Sequence, residues 1–390
     1  LETLMAIFVS NRYLPRRILL LTGCFARAAA ERHSISRLWK QSSGLMARSV
    51  TQNAGDHGEH YITRDKKEYW AMFYSAAGGG VLIALMALFK TYLGSIIDDK
   101  VWKGIAEGLN YGLGFMVIFM LHFTVATKQP AMTAARFAEA VEKTPQGKTV
   151  NMKLAQLLVD VFRSQSIAVL GNVLIAMGLA ALIAFGYQYK TGEPLMNADQ
   201  IAYQLHSIDP FAGTLWFAAI AGVWLFCSGI ISGYFDNRSN YLNMRMRLTQ
   251  HPLLKKLMSE KTRVKFANYM HENYGSLIGN LCFGMLLGIT GVVGYLTHLP
   301  LDIRHVAFSS ANVGYIAVSG QFTYSLLLQC IGFVLLIGLV NLIVSFSLTL
   351  WVALRSLNAE IDSWWPIWHE VCQIVKKRPL SLFLPVQLDK

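Results

Sequence analysis

The chain has few charged residues for its length. Asp, Glu, Lys and Arg make up 15% of its 390 residues, whereas a soluble domain carries about 25%. This shortage excludes an ordinary water-facing surface. The hydrophobic content of 54% and the mean hydropathy of +0.38 exclude an intrinsically disordered chain. The remaining broad class is a polytopic membrane protein.

Cysteine is also scarce, and no Cys-x-x-Cys pair occurs. The five cysteines are Cys24, Cys227, Cys282, Cys330 and Cys372. An odd number, with three members inside apolar runs, argues against a disulfide framework and against a thiolate zinc site. Because the chain begins at Leu1 rather than at Met, we also expect a truncated start.

Six apolar stretches are long enough, or nearly so, to cross a bilayer core, which takes about 20 residues of helix. They are Trp70 to about Phe89 or Ile97, about Ile105 to Ala126, Ile167 to Tyr187, Phe211 to Tyr234, Leu277 to Leu296, and Leu326 to Leu354. A seventh piece, Val306 to Ser319, is too short to cross and predicts a re-entrant or interfacial segment of non-helical backbone that folds back against the bundle. The predicted fold is therefore all-α, a polytopic membrane protein with six transmembrane helices and this short segment.

Basic residues alternate with these stretches. In a six-span arrangement, 30 of the 35 Lys and Arg residues fall on one side, and the positive-inside rule makes that side cytoplasmic. We therefore predict a multi-pass membrane protein with both termini in the cytoplasm. Its parts are a basic helical lead-in over residues 1–68, a membrane domain over 69–355 and an interfacial tail over 356–390.

Polar groups in or beside the spans are candidates for chemistry, because an ionisable side chain inside a bilayer is costly. Glu107 and His122 lie in the second span, and Lys90 lies near the end of the first. The candidate polar site consists of His122, Thr124, Lys128, Gln129, Asp302, Arg304, His305 and Asn312. Two interpretations of these residues are open. They form a path for protons or a binding site for a ligand, or they are a hydrogen-bonded histidine together with a local Asp302–Arg304 ion pair that anchors the loop between the fifth and sixth spans.

In this loop, His305 is expected at a boundary between protein and water, where it would titrate near neutral pH.

Two patterns indicate close helix packing. Gly108-x3-Gly112 and Gly284-x3-Gly288 place small residues on one helix face, which lets backbones approach each other. Asparagines within three spans are expected to form hydrogen bonds between helices, and they are Asn172, Asn280 and Asn341.

The connection between the fourth and fifth spans is strongly basic. Its leading candidates for contacts with phosphate groups are Arg238, Arg245, Arg247, Lys255 and Lys256. These groups suit anionic lipids or nucleic acid, although the positive-inside rule also accounts for them.

A weak metal pattern lies before the first span. It consists of His57, Glu59 and His60, and it lacks a ligand from elsewhere in the chain. No cofactor is predicted.

Four stretches of the chain are long enough to be specific to a family. They are Gly58 to Asp65, Ala76 to Gly80, Leu121 to Ala134, and Leu301 to Val306. Together they resemble the bacterial inner-membrane family known as site-specific recombinase, over roughly Gly58 to the C-terminus. The resemblance implies a larger soluble helical region before the first span and, by its name, DNA recombination.

The residues themselves do not supply recombination chemistry. None of the ten histidines is followed three residues later by Arg, so the His-x-x-Arg element of tyrosine recombinases is absent. The sequence also shows no alternation of strands and helices, which the catalytic domain of a serine recombinase would require. The sequence therefore favours a non-enzymatic membrane protein with a transport or lipid-handling role, and the alternative is a membrane-tethered DNA-binding or recombination-associated factor. Membrane lipids are the expected partners, nucleic acid at the basic loops belongs to the alternative, and a homo-oligomer is compatible with both.

Overall fold

The structure is a computed structural model that describes residues 19, 22, 23 and 25, and residues 62–385 apart from 64, 126–128, 143–147, 320–321, 358, 360 and 362. The chain divides into two compact units, Leu1–Met46 and Ala47–Lys390. In the first unit the four described residues are helical. The candidate membrane helices found among the described residues all belong to the second unit.

Every regular element in the described part of the chain is a helix. In chain order the helices are α1 (Lys66–Ile96), α2 (Lys100–Met120), α3 (Gln129–Glu142), α4 (Lys148–Thr191), α5 (Ala198–Ile208), α6 (Thr214–Tyr241), α7 (Met244–Gln250), α8 (Pro252–Leu257), α9 (Glu260–Thr297), α10 (Val306–Ala317), α11 (Tyr324–Leu357) and α12 (Trp365–Lys377). Short 3-10 turns lie at Pro210–Ala212 and Pro379–Leu382. Five helices, α1, α4, α6, α9 and α11, are long and apolar enough to cross a membrane. They correspond to five of the six predicted spans. The remaining one, α2, is not among these five, and it carries Lys103, Glu107 and Asn110.

Helices α1 and α2 form an antiparallel hairpin, since only three residues, 97–99, connect them. The side-chain amide of Asn110, midway along α2, donates to the carbonyl oxygen of Met86, about two-thirds of the way along α1, at 2.9 Å. Helix α2 ends at Met120, earlier than its apolar pattern predicted. His122 follows in the left-handed region with a φ of +57°, which no helix can continue through. The hairpin therefore brings the polar residues of α2 alongside the second half of α1.

Helix α2 also packs along α9 through facing glycines. A Cβ atom added at Gly284 would strike the backbone of Gly112, and one added at Gly288 would strike the backbone of Gly108. The two backbones therefore approach too closely for any side chain to lie between them. The tight packing predicted from both Gly-x3-Gly patterns is confirmed. Helix α9 packs against α6 as well.

The short apolar piece predicted at Val306 to Ser319 forms α10, a helix of 12 residues. Ten of these residues are buried, and a helix that is apolar on every side is stable only when its surroundings are apolar too. Gly314 lies against the backbone of Met177 in α4, and the Tyr315 hydroxyl donates to the carbonyl oxygen of Ala84 in α1 at 2.7 Å. The expectation of non-helical backbone was therefore wrong, because the segment is an internal helix of the bundle.

A second apolar cluster lies among α3, the first half of α4, the end of α11, and α12. Phe137, Leu350 and Ile367 are among its buried members. With 44 residues, α4 is about 66 Å long, roughly twice the thickness of a bilayer core. The buried guanidinium of Arg163 in α4 donates to the carbonyl oxygen of Thr63. Arg163 thus joins α4 to the residues that precede α1.

Candidate functional site

A polar cavity of about 450 Å³ lies between α1, α2, α5, α10 and the loop that precedes α10. Its wall carries three cationic and three anionic side chains, so their formal charges balance. They are Lys90, Lys103, Arg304, Glu107, Asp199 and Asp302. A polar cavity of this kind among apolar helices is the leading candidate for a ligand site.

One wall of the cavity is an ion pair between α1 and α2. The Nζ atom of Lys90 lies 3.4 Å from Oε2 of Glu107, whose side chain is 14% exposed. The same ammonium group lies 5.5 Å from the ring centroid of Tyr111, within the range of a cation–π contact. Ionised groups withdrawn from water are costly, and a partner offsets that cost only in part. Glu107 is therefore stabilised by Lys90, whose own side chain is 37% exposed on the cavity wall.

A second ion pair lies in the loop that precedes α10. Nη1 of Arg304 lies 2.6 Å from Oδ2 of Asp302, so the predicted pair is confirmed. Nε of Arg304 donates to the carbonyl oxygen of Ser207 at the end of α5 at 2.8 Å, and the backbone N–H of Arg304 donates to the carbonyl oxygen of Phe217 in α6 at 3.2 Å. Arg304 thus fastens the loop to two helices at the edge of the cavity.

His305 lies deeper than the sequence indicated. Its side chain is 1% exposed, and its ring centroid lies 5.8, 6.0 and 6.2 Å from those of Phe283, Phe308 and Phe115. Burial lowers the pKa of His305 to about 4, because the cationic form loses its hydration. The expectation of a boundary histidine titrating near neutral pH was wrong, since α2 and α9 supply aromatic rings that the local sequence does not reveal.

The start of α10 is held by the amide of Asn341 in α11. Its Oδ1 accepts from the Val306 N–H at 3.2 Å, and its Nδ2 donates to the carbonyl oxygens of Ala218 at 2.7 Å and Arg304 at 3.0 Å. One side chain thereby joins α6, α10, α11 and the loop. This orients α10 so that Asn312 faces the cavity.

His122 and Thr124 lie at the other end of α2, about 25 Å along the helix axis from Lys103. The backbone carbonyl of His122 accepts from the Ser75 hydroxyl at 3.0 Å, and that of Thr124 accepts from the Asn172 amide at 2.9 Å. The His122 side chain is exposed. These groups close the end of the α1–α2 hairpin against α4.

The structure therefore brings together only part of the predicted polar site. Asp302, Arg304, His305 and Asn312 line one cavity, whereas His122 and Thr124 are not among the residues that line it. Lys128 lies outside the described residues, and Gln129 is the first residue of α3. The asparagines also differ in role. Asn172 and Asn341 bond between helices as predicted, while the Asn280 amide donates to the Ser276 carbonyl oxygen of its own helix at 2.8 Å.

Several residues of the cavity were not part of the predicted site. They are Lys90, Lys103, Glu107, Tyr111, Asp199, Tyr203 and Ser309. A signal for the ion pair exists in the sequence, because Lys90 and Glu107 lie at equal distances from the turn at residues 98–99. A hairpin with a short turn pairs such positions. No comparable signal marks Asp199 or Tyr203, which reach the cavity only through the fold of α5.

The five basic candidates of the connection between α6 and α9 are all exposed. Arg238 lies in the last turn of α6 and the other four lie in α7 and α8, and none of the five is among the residues that line the cavity. The weak metal candidates His57, Glu59 and His60 lie outside the described residues. In the part of the chain that the structure describes, no group of three or more His, Cys, Asp or Glu side chains is arranged to hold a metal ion.

Comparison with known proteins yields one family. A family model described as "Site-specific recombinase" matches residues 1–385, which extends the resemblance beyond Gly58 to nearly the whole chain. No curated protein and no solved structure matches the chain.

Proposed function

This chain belongs to the site-specific recombinase family, and from that premise we propose that it is a multi-pass protein of the bacterial inner membrane that binds a small polar solute in its outer cavity. The role that best suits such a site is transport or the handling of lipid headgroups. The observation that carries the proposal is the Lys90–Glu107 pair, which two adjoining helices place on the wall of a cavity among apolar helices.

The proposal treats α2 as a sixth span. Its 21 residues measure about 31 Å, which matches a bilayer core of about 30 Å. It runs antiparallel to α1, whose own length and composition suit a membrane, and it packs on α9 without intervening side chains. Lys103 and Glu107 of α2 line the cavity. Six spans place both termini on one side, the cytoplasmic side by the distribution of Lys and Arg, and α10 becomes a re-entrant helix.

The chemistry of the cavity supports a solute that carries both signs of charge. Cationic and anionic side chains are equal in number on its wall, so a zwitterion would find a partner for each of its charged groups without leaving a net charge in the membrane. A solute with a single charge would leave one sign of the wall unmatched, at a cost in desolvation. Free zwitterions and the headgroups of zwitterionic lipids share this chemistry.

A thermal-shift assay on the purified full chain in detergent tests the proposal. The probes are glycine betaine, glycerophosphoethanolamine and inorganic phosphate. We expect saturable stabilisation by the zwitterions, loss of that stabilisation in Glu107→Gln, and its retention in Glu193→Gln, which changes an exposed carboxylate outside the cavity. Stabilisation that is absent from the unaltered protein, or unchanged in Glu107→Gln, would overturn the proposal. Uptake of the stabilising zwitterion into proteoliposomes then separates transport from headgroup handling.

The alternative role, a membrane-tethered DNA-associated factor, has one supporting observation. The basic side chains between α6 and α9 are exposed and would be accessible to a phosphate backbone. They occur without the His-x-x-Arg element, so this role would consist of binding rather than strand exchange.

A further inference from the structure

The connection between α6 and α9 has an unusual charge pattern. Between Asp236 and Glu260 the chain carries five Lys or Arg residues and no Asp or Glu. All five of these basic side chains are exposed. We refer to residues 237–259 as the basic–apolar segment. A stretch of one sign at the end of two apolar helices attracts an anionic surface.

The same segment also exposes large apolar side chains. Tyr241 is 89% exposed, Leu257 78% and Leu253 61%. Leu253 and Leu257 are four residues apart on α8, so they occupy one face of that helix. Met246 is exposed between Arg245 and Arg247 on α7. Exposed leucines interleaved with cations are costly in water and suit a boundary that offers both phosphates and hydrocarbon.

This combination distinguishes two phosphate-rich surfaces. Contacts with a nucleic-acid backbone come from cationic and polar side chains and from backbone N–H groups, and they leave exposed leucines in water. A phospholipid surface accepts both components, because headgroup phosphates bind the cations while the acyl boundary takes the apolar groups.

The segment is held at the end of the helix pair that carries it. The Asp236 carboxylate accepts from the backbone N–H of Gly275 in α9 at 2.8 Å, and the Ser239 hydroxyl lies 3.1 Å from Nδ1 of His271. These contacts join the last turns of α6 to α9, and α7 packs against α9 beyond them. The segment therefore has a fixed base beside the membrane-type helices rather than a free linker.

We propose that the basic–apolar segment is a binding site for anionic phospholipid headgroups, in which Arg245, Arg247, Lys255 and Lys256 contact phosphates while Leu253 and Leu257 enter the acyl boundary. The site is independent of the outer cavity. It would couple the end of the α6–α9 pair to the charge of the adjacent leaflet.

The test uses the full chain, with its native cysteines replaced and a single Leu257→Cys carrying an environment-sensitive fluorophore. The protein is placed in nanodiscs of phosphatidylcholine alone or of phosphatidylcholine mixed with phosphatidylglycerol. We expect a blue-shifted emission, quenched by spin-labelled acyl chains, only with phosphatidylglycerol, and a loss of this response at high salt. A label at Glu193→Cys, in the turn after α4, serves as the matched control and is expected to report the same environment in both lipids.

A charge-neutral variant completes the experiment. Replacement of Arg245, Arg247, Lys255 and Lys256 by Gln should abolish the response to phosphatidylglycerol while preserving the melting temperature of the protein. Equal emission in both lipids would overturn the proposal. So would a response that the neutral variant retains, and so would a shift that duplex DNA produces and phosphatidylglycerol does not, since that result would assign the segment to nucleic acid.

Discussion

The close approach of α2 and α9 predicts that two glycines one turn apart tolerate alanine unequally. A Cβ atom on Gly112 would lie 2.7 Å from the carbonyl oxygen of Leu281 and 3.3 Å from its Cα. Both are backbone atoms, which cannot rotate away. A Cβ atom on Gly108 would lie 3.4 Å from the Cα and carbonyl oxygen of Met285, an ordinary van der Waals contact. The same substitution therefore produces a steric overlap with backbone at Gly112 and only an ordinary contact at Gly108.

The magnitude follows from this geometry. Relieving the contact at Gly112 to 3.4 Å requires α2 and α9 to separate there by about 0.7 Å. Overpacking by one carbon costs about 1–3 kcal/mol, while replacing Gly by Ala within a helix gains up to about 1 kcal/mol. We expect Gly112→Ala to lose about 1–2 kcal/mol of unfolding free energy, and Gly108→Ala to be neutral or slightly stabilising.

Thermal unfolding of the purified variants in detergent measures the difference. Gly178→Ala in α4 is the second control, because no atom lies within 4 Å of its added Cβ, and it reports the intrinsic gain of alanine. The reasoning requires Gly112→Ala to melt below both controls. If Gly112→Ala and Gly108→Ala melt together, α2 and α9 are not packed as described.

Three further predictions follow from other contacts. Asn341→Leu removes three hydrogen bonds, so it should cost about 3 kcal/mol and lower the melting temperature in detergent. His305 is neutral in the folded protein at neutral pH, because burial lowers its pKa to about 4 from an unfolded value of about 6.5. The stability of the protein should therefore fall as the pH drops from about 6.5 toward 4, since the unfolded chain binds a proton that the folded chain does not. His305→Phe should remove this pH dependence from the melting temperature. The purified protein should form no covalent adduct with DNA, and any DNA binding in a filter assay should be non-specific and fall steeply with salt; an adduct through Tyr or Ser would contradict this.

The hydropathy of the chain was sufficient to locate the long apolar helices. Helices α1, α4, α6, α9 and α11 consist of apolar residues that lipid or neighbouring helices can surround, so composition alone identifies them. Helix α2 is less evident because Lys103 and Glu107 face a cavity that exists only after α1, α5 and α10 assemble. Its status depends on packing partners rather than on its own residues.

The candidate site was predictable where its residues are neighbours in sequence. Asp302 and Arg304 are two residues apart, and their ion pair follows from local chemistry. Two of the rings around His305 come from distant segments that supply Phe115 and Phe283, and nothing near residue 305 indicates them, whereas Phe308 is only three residues away. The Lys90–Glu107 pair lies between these cases, since it requires knowledge of the hairpin turn but of no other element.

The most direct test of the central claim, an outer cavity in a six-span bundle, is the labelling of single cysteines with a membrane-impermeant maleimide in intact cells, after the native cysteines are replaced. The positions are Lys67→Cys in the first turn of α1, Lys153→Cys near the start of α4 and Glu193→Cys after α4, all of them exposed. Because α1 and α2 lie between the first two positions, six spans place residues 67 and 153 together in the cytoplasm, protected until the cells are permeabilised, while residue 193 is labelled from outside. Labelling of residues 67 and 153 from opposite sides would show that α2 does not cross, and protection of residue 193 would place the cavity on the cytoplasmic face.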